Sequence, residues 1–221
     1  MLAHCTIELR IGATRLPVAL LARDGALVAT LLDLEPAAAR ARFARTGELP
    51  AAEDPGPFRA VIEELRRYEA GEAVEWRSPI RIEGGTSFQR MIWERIAGIP
   101  TGSTRSYGEL AALAGAPGGA RAAGGACGRN PLPLRVPCHR VVAAGGSLGG
   151  FTGLLATKRL LLAHEGVAAG APGNRPASPS LPLGHGTPGA SGSPRVGPPE
   201  PRQRAVQPWL SDPRTPSFFT L

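Results

Sequence analysis

One short run concentrates the reactive side chains of this sequence: Cys138, His139 and Arg140, directly after Pro137. A cysteine reacts as its thiolate, and a base or positive groups nearby favour that form. His139 is the general-base candidate beside it, but neighbouring side chains of an extended chain point to opposite faces. The expected link is therefore a water bridge from His139 to Cys138, with a carboxylate orienting the imidazole. Between residues 95 and 170 only Glu109 and Glu165 carry carboxylates, and Glu165, at the turn after the last predicted helix, is the better placed. An inert buried cysteine beside a satisfied core histidine is the competing reading, and these residues alone leave both open. Cys5 and Cys127 lack such surroundings and read as structural. Metal binding is not expected, because no Cys-x-x-Cys or His-x-x-x-His pair occurs.

Positioning these groups falls to the elements around them. Pro131, Pro133 and Pro137 exclude regular helix from 130–137 and predict a stiff, extended segment delivering Cys138. Val141 and Val142 follow, then a Gly-rich loop over 145–150. Thr152 is the predicted cap of a final helix with Leu155, Leu161 and Leu162 on one face, ending near His164–Gly166. Upstream, Phe88, Met91, Ile92 and Ile96 mark a helix that stops at 98–100. Ser106 and Glu109 form a capping box opening a helix that ends at Gly115. Pro117 suits the start of another over 118–127. Two short helices about a Gly turn make a helix-turn-helix candidate. The second is Gly- and Ala-rich with Arg121 near its start, which suits either close approach to a partner or tight core packing.

The first third of the chain reads as a scaffold. Ile7, Leu9 and Ile11 alternate with polar residues as in a half-buried strand. Apolar runs over 16–21 and 26–32 flank Asp24-Gly25, a hairpin signal. Helices are predicted over 37–45 and 57–70, the second from Phe58, Val61, Ile62 and Leu65, with a short strand over 79–83. This is a small α+β unit without an evident site, its acidic residues reading as a solvated face. After residue 170 Pro and Gly dominate without periodicity, which predicts a disordered tail.

The chain has 221 residues and a formal charge of +7, divided as −2 over 1–86, +6 over 87–170 and +3 over 171–221. That asymmetry favours an anionic partner for the middle part. No apolar run approaches the roughly 18 residues that span a membrane, and no signal-peptide pattern opens the chain. Three Cys suit a reducing compartment.

The run Pro137-Cys138-His139-Arg140-Val141-Val142 resembles the active-site motif of the O6-alkylguanine-DNA alkyltransferases, or methylated-DNA–protein-cysteine methyltransferases. Further runs agree in order and spacing: Phe88 to Trp93, Ile99-Pro100 through Ser106-Tyr107-Gly108-Glu109-Leu110-Ala111, Ala120-Arg121-Ala122, Asn130-Pro131, and Leu161-Leu162 through His164-Glu165-Gly166. Together they cover about 88–166. The resemblance implies an α+β chain in three parts: a ribonuclease-H-like domain over 1–83, a helical, winged helix-turn-helix-like catalytic domain over 84–170, and the tail over 171–221. It implies one-step, irreversible transfer of the alkyl group of O6-alkylguanine, and of O4-alkylthymine, in duplex DNA to Cys138, once per molecule and without cofactor or metal. The nucleotide is flipped out of the stack for this.

In residues, the resemblance assigns Cys138, His139, Glu165 and Asn130 to catalysis, with His139 and Glu165 as a water-linked relay. It assigns Tyr107, Gly108, Arg121 and Arg140 to DNA, with Arg121 filling the place of the flipped base from the minor groove. Tyr107, Val141, Phe151, Thr152 and Gly153 would meet the base. Pro133 and Gly153 match positions associated with bulky O6 substituents, which predicts reaction with benzylguanine. The sequence departs from the pattern at Phe151, where many members have Tyr, at Leu154, where a second Gly is common, and at Gly118-Gly119, which weakens the start of the recognition helix by about 1 kcal/mol per Gly. The expected protein is a monomer on double-stranded DNA, away from membranes, in the cytoplasm or, in a eukaryote, the nucleus. The alternatives are an alkylation-responsive DNA-binding regulator, a damage-recognition protein that does not react, and a cysteine hydrolase, for which no oxyanion-hole segment is recognisable.

Overall fold

A computed structural model describes residues 1–45, 49–50, 52–149 and 154–168. The expected tail, and Phe151, Thr152 and Gly153, lie outside the described residues.

Three strands, β1 (Leu2–Ile11), β2 (Thr14–Arg23) and β3 (Ala26–Leu32), form an antiparallel meander with β2 in the centre. Asp24 and Gly25 turn β2 into β3 with φ of 51° and 77°, the positive pair that a two-residue hairpin of matching twist requires. Two apolar clusters cover the two faces. On one side Ala19, Leu21, Val28, Ala29 and Leu31 pack with Ala39 and Phe43 of α1 (Pro36–Ala44). On the other, Leu9, Val18, Leu20, Leu27 and Leu32 join Val61, Leu65 and Tyr68 of α2 (Arg59–Glu69). That second cluster continues without a break into the helices that follow, through Ile92, Trp93, Leu110, Val141 and Leu161.

The expected strand over 79–83 is reduced to one parallel bridge, Leu27 to Ile80. Pro79 has no N–H to extend the ladder, and Gly84 and Gly85 turn the chain away with φ near 78°. Glu64 also departs from the expected solvated face. It is buried on α2 and accepts from the backbone N–H groups of Arg77 (2.5 Å) and Ser78 (2.8 Å), fastening the linker.

The remaining helices are α3 (Ser87–Ala97), α4 (Tyr107–Leu113), α5 (Ala120–Cys127) and α6 (Leu155–His164). Ser106 and Glu109 form the expected capping box of α4, and Thr86 with Gln89 makes a second one on α3. The start of α5 is corrected. Gly118 has φ 84°, a left-handed value, so the helix begins at Ala120 and Pro117 stands in the turn before it. Trp93 Nε1 donates to Ala126 O at 2.8 Å and so fixes α5 against α3. Two short strands, β4 (Arg105–Ser106) and β5 (Val141–Val142), pair in parallel and carry the chain past Cys138.

Candidate active site

The segment before Cys138 is a folded turn, not the extended rod that its prolines suggest. Asn130 organises it. Its Oδ1 accepts from Leu132 N at 3.0 Å, and its Nδ2 donates to Val136 O at 2.7 Å. Val136 O also accepts from Cys138 N at 2.8 Å. Pro137 between them has φ −78° and ψ 67°, the geometry of an inverse γ-turn. Leu134 adopts φ 72°, which a non-glycine residue holds only when its surroundings enforce it. The N-terminal sheet supplies part of that enforcement, since Thr30 N donates to Pro131 O at 2.9 Å.

Cys138, His139 and Arg140 form one turn of 3₁₀ helix, all three buried. Successive side chains there are about 120° apart, so the opposite-face geometry of an extended chain does not apply. His139 Nε2 lies 2.8 Å from Glu165 Oε1. An ionised carboxylate only accepts, so Nε2 carries the proton and Nδ1 keeps its lone pair. Burial and the hydrogen bonds and charges of its neighbours act oppositely on Glu165. Burial raises its carboxyl, while His139 and Arg140 outweigh that and hold it down to about 2. His139 is pushed below its ordinary value by burial and by the charges of Arg140 and Lys158, against the pull of Glu165. Burial pushes the Cys138 thiol up, opposed by a hydrogen bond from the Asn130 side chain and by the Lys158 charge. The resting arrangement is thus a protonated thiol beside a neutral imidazole.

Glu109 is excluded from this relay, because its Oε2 accepts from Ser106 N (2.8 Å) and Ser106 Oγ (2.9 Å) in the cap of α4. Arg140 is corrected. It is buried, with Nε 2.8 Å from Glu165 Oε2, Nη2 2.9 Å from Glu165 Oε1 and 3.0 Å from Thr101 Oγ1, and Nη1 2.5 Å from Ile99 O. Its donors face inward, so it belongs to the Glu165 network and not to a DNA-facing surface.

Lys158 was not singled out as a site residue, yet it lies at the centre. Its side chain is buried, and Nζ donates to Val141 O at 2.5 Å and to Leu148 O at 2.8 Å. It also stands 5.6 Å over the Tyr107 ring. Burial lowers it to about 8, against the pull of Cys138 and Cys127. Its signal in the sequence was its isolation, as the single lysine among 25 basic residues. Cys127 is buried, and burial and the neighbouring Cys138 push its thiol up.

Tyr107 is half-buried at the start of α4 and shares this neighbourhood, its hydroxyl raised by burial and by Cys127 and Cys138. Gly149 is required there, since a Cβ would meet Tyr107 Cε2 at 2.9 Å and its φ is 70°. Gly108 and Arg121 are exposed, as are Ala120, Ala122 and Gly125 on α5, while Ala123, Ala126 and Cys127 face the core. The outer face of α5 is thus small residues around one arginine. Val141 is buried and its carbonyl is engaged by Lys158. Leu32 of β3 and Pro133 line a small cavity with Cys138, Leu154 and Leu161. Among the described residues no group of three or more His, Cys, Asp or Glu is placed to hold a metal ion, and no helix is long and apolar enough to cross a membrane.

Fold and site together define a mixed α and β protein with a buried cysteine, an adjacent imidazole held by a buried carboxylate, and two short helices joined by a glycine turn. Residues 87–167 match the family model for the DNA-binding domain of 6-O-methylguanine DNA methyltransferase. The methylated-DNA–protein-cysteine methyltransferase of Mycobacterium tuberculosis (strain ATCC 25618 / H37Rv) is 47% identical over 112 residues, covering 51% of this chain and 67% of that protein. The crystal structure of Mycobacterium tuberculosis OGT in complex with DNA is 36% identical, with a TM-score of 0.63 over 77% of this chain and 95% of that one. An archaeal O6-methylguanine-DNA methyltransferase from Pyrococcus kodakaraensis is 26% identical, with a TM-score of 0.55 over 76% of this chain and all of that one. The chain belongs to the methylated-DNA–protein-cysteine methyltransferase family.

Proposed function

We propose that this protein repairs DNA by taking the alkyl group of O6-alkylguanine, and of O4-alkylthymine, onto Cys138. The observation that carries the reading is the buried Cys138 followed by His139, whose Nε2 is held 2.8 Å from an ionised Glu165. The sulfur attacks the alkyl carbon, an S–C bond forms and the C–O6 bond breaks. The electron pair of that bond stays with the base, which takes up one proton overall. The thiol proton passes to His139 Nδ1 through a water molecule, and Glu165 stabilises the imidazolium. The thioether has no leaving group of comparable ease, so each molecule reacts once.

The substrate base reaches Cys138 only when flipped from the duplex. The small outer face of α5, with Arg121 exposed on its first turn, suits close approach in the minor groove, with Arg121 replacing the lost base. Tyr107 would meet the flipped base, and Val141, Phe151, Thr152 and Gly153 would line its seat. The protein acts as a monomer in a DNA-containing compartment, on a ribonuclease-H-like first domain and a winged helix-turn-helix-like second one divided near 83–84. The test is duplex DNA carrying radiolabelled O6-methylguanine. Label moves to the protein one-for-one and stops, and Cys138→Ala takes none. Multiple turnovers, or transfer to the alanine variant, would overturn the reading.

A further inference from the structure

We propose that Tyr68, on α2 of the N-terminal half, is a positioning residue for the reaction at Cys138, its hydroxyl setting how much negative charge Glu165 presents to His139. The inference rests on the alkyl-transfer reading above. Tyr68 Oη donates to Glu165 Oε1 at 3.0 Å. That oxygen also takes His139 Nε2 at 2.8 Å and Arg140 Nη2 at 2.9 Å. The Glu165 and His139 side chains are only 1% and 4% exposed, so bulk water does not dilute this competition.

A second contact holds the tyrosine in place. His164 Nε2 lies 2.7 Å from the backbone oxygen of Tyr68, and since a carbonyl only accepts, that nitrogen is the donor. The two rings meet edge-on at 5.1 Å. Consecutive residues of the C-terminal half, His164 and Glu165, are therefore clasped by the backbone and side chain of one residue in the N-terminal half. The strand-rich half is more than a scaffold: it supplies a hydrogen-bond donor to the carboxylate that faces His139.

Three donors on one carboxylate oxygen divide its negative charge, and each weakens the acceptance of the others. When the Cys138 proton reaches His139, the bond from Nε2 to Glu165 must strengthen to carry an imidazolium. Tyr68 limits that strengthening and so works in the same direction as the burial that keeps the resting imidazole neutral. The other charged or titratable groups facing the pair are Arg140 from the same turn as His139, Lys158 from α6, His164 beside Glu165, and Glu72, which lines the cleft behind Glu165 with Tyr68.

The experiment compares full-length protein carrying Tyr68, Tyr68→Phe and site-specifically incorporated fluorotyrosine at 68, a more acidic phenol and stronger donor. The His139 imidazole is titrated by NMR, its signal assigned by loss in His139→Gln, and the pH profile of single-turnover transfer from O6-methylguanine duplex is measured alongside. Phe preserves the ring against Trp76 and His164, and thermal melting verifies the fold of each variant. In Tyr68→Phe the His139 midpoint rises by about 0.5 pH and the acid limb of the transfer profile follows. With fluorotyrosine both move the other way. An unmoved midpoint, or a rate loss without displacement of the acid limb, overturns the proposal and leaves Tyr68 a packing residue. Opposite movements of the midpoint in a protein that takes no label would sink the alkyl-transfer reading while supporting the placement of Tyr68.

Discussion

Arg140 and Glu165 form a two-pronged ion pair in the interior, Nε to Oε2 at 2.8 Å and Nη2 to Oε1 at 2.9 Å, with side chains 6% and 1% exposed. The pair joins the turn bearing Cys138 to the end of α6, and Ile99 O and Thr101 Oγ1 extend it to the segment after α3. The hydrogen bond from His139 and the permanent guanidinium charge of Arg140 together keep Glu165 ionised. On the proposed alkyl-transfer reading, the anion is thus ready before a proton leaves the thiol.

Removing one partner of such a pair strands the other. Arg140→Gln should lower the stability to urea unfolding by about 3–5 kcal/mol and abolish alkyl transfer. Arg140→Lys keeps the charge but loses the planar fork, and should fall between the two. Wild-type stability in either variant would contradict the buried pairing.

The acid side of the stability profile follows from the same groups. His139 has its folded value depressed below its ordinary 6.5. Its contribution is complete above about pH 6.5 and is lost as pH falls through the folded value, because the buried imidazole must then charge. Glu165, depressed from 4.5 to about 2, contributes above about pH 4.5 and loses that contribution between there and about pH 2. Melting temperature should therefore decline below pH 6.5 in the wild type and decline less in His139→Gln over pH 7 to 5. Parallel curves would show that His139 is not buried as a neutral base.

Asn130 is the residue on which the reactive turn depends. Asn130→Ala leaves Val136 O with one donor fewer and removes the acceptor for Leu132 N. The expected loss is about 1–3 kcal/mol in stability. A larger proportional loss should appear in transfer rate, because the left-handed Leu134 is less firmly enforced and Cys138 loses a hydrogen bond that favours its thiolate. Unfolding and single-turnover measurements on one preparation separate the two effects.

Much of this was legible in the sequence, for identifiable reasons. Local signals held where they were local: Asp24-Gly25 turned the hairpin and Ser106 with Glu109 capped α4, and the Glu165 carboxylate reached the His139 imidazole. What escaped was decided by tertiary partners. Three prolines suggested a rod, but Asn130 folds the segment into a turn through hydrogen bonds that composition does not show. Arg140 read as a cation for DNA because the motif carries no information on which way its guanidinium points. Tyr68 lay on the apolar stripe of α2, and only the approach of α6, 97 positions along the chain, gives its hydroxyl a carboxylate.

Lys158 supplies a prediction that separates chemistry from packing. Its ammonium is the cation whose charge favours the Cys138 thiolate, and its hydrogen bonds hold Val141 O and Leu148 O together. Lys158→Met fills similar space without charge. Transfer should slow by about tenfold or more, near 1.4 kcal/mol, while melting changes little, since relief from a buried charge offsets two lost hydrogen bonds. A rate unchanged at all pH values would make Lys158 a structural strut only.

Arg121 gives the sharpest test of how DNA is engaged. It is exposed on the first turn of α5, so Arg121→Ala should alter stability by no more than about 0.5 kcal/mol. On the proposed reading its work is on the duplex, where filling the vacated stack offsets an unstacking cost of a few kcal/mol. The free base O6-methylguanine needs no flipping. Transfer from duplex should therefore fall about a hundredfold, equivalent to roughly 2.7 kcal/mol, while transfer from the free base stays within about twofold of wild type. Both rates are read from the same labelled-thioether assay. Equal slowing of the two would place Arg121 in the chemistry at Cys138 and would remove the argument for a minor-groove finger.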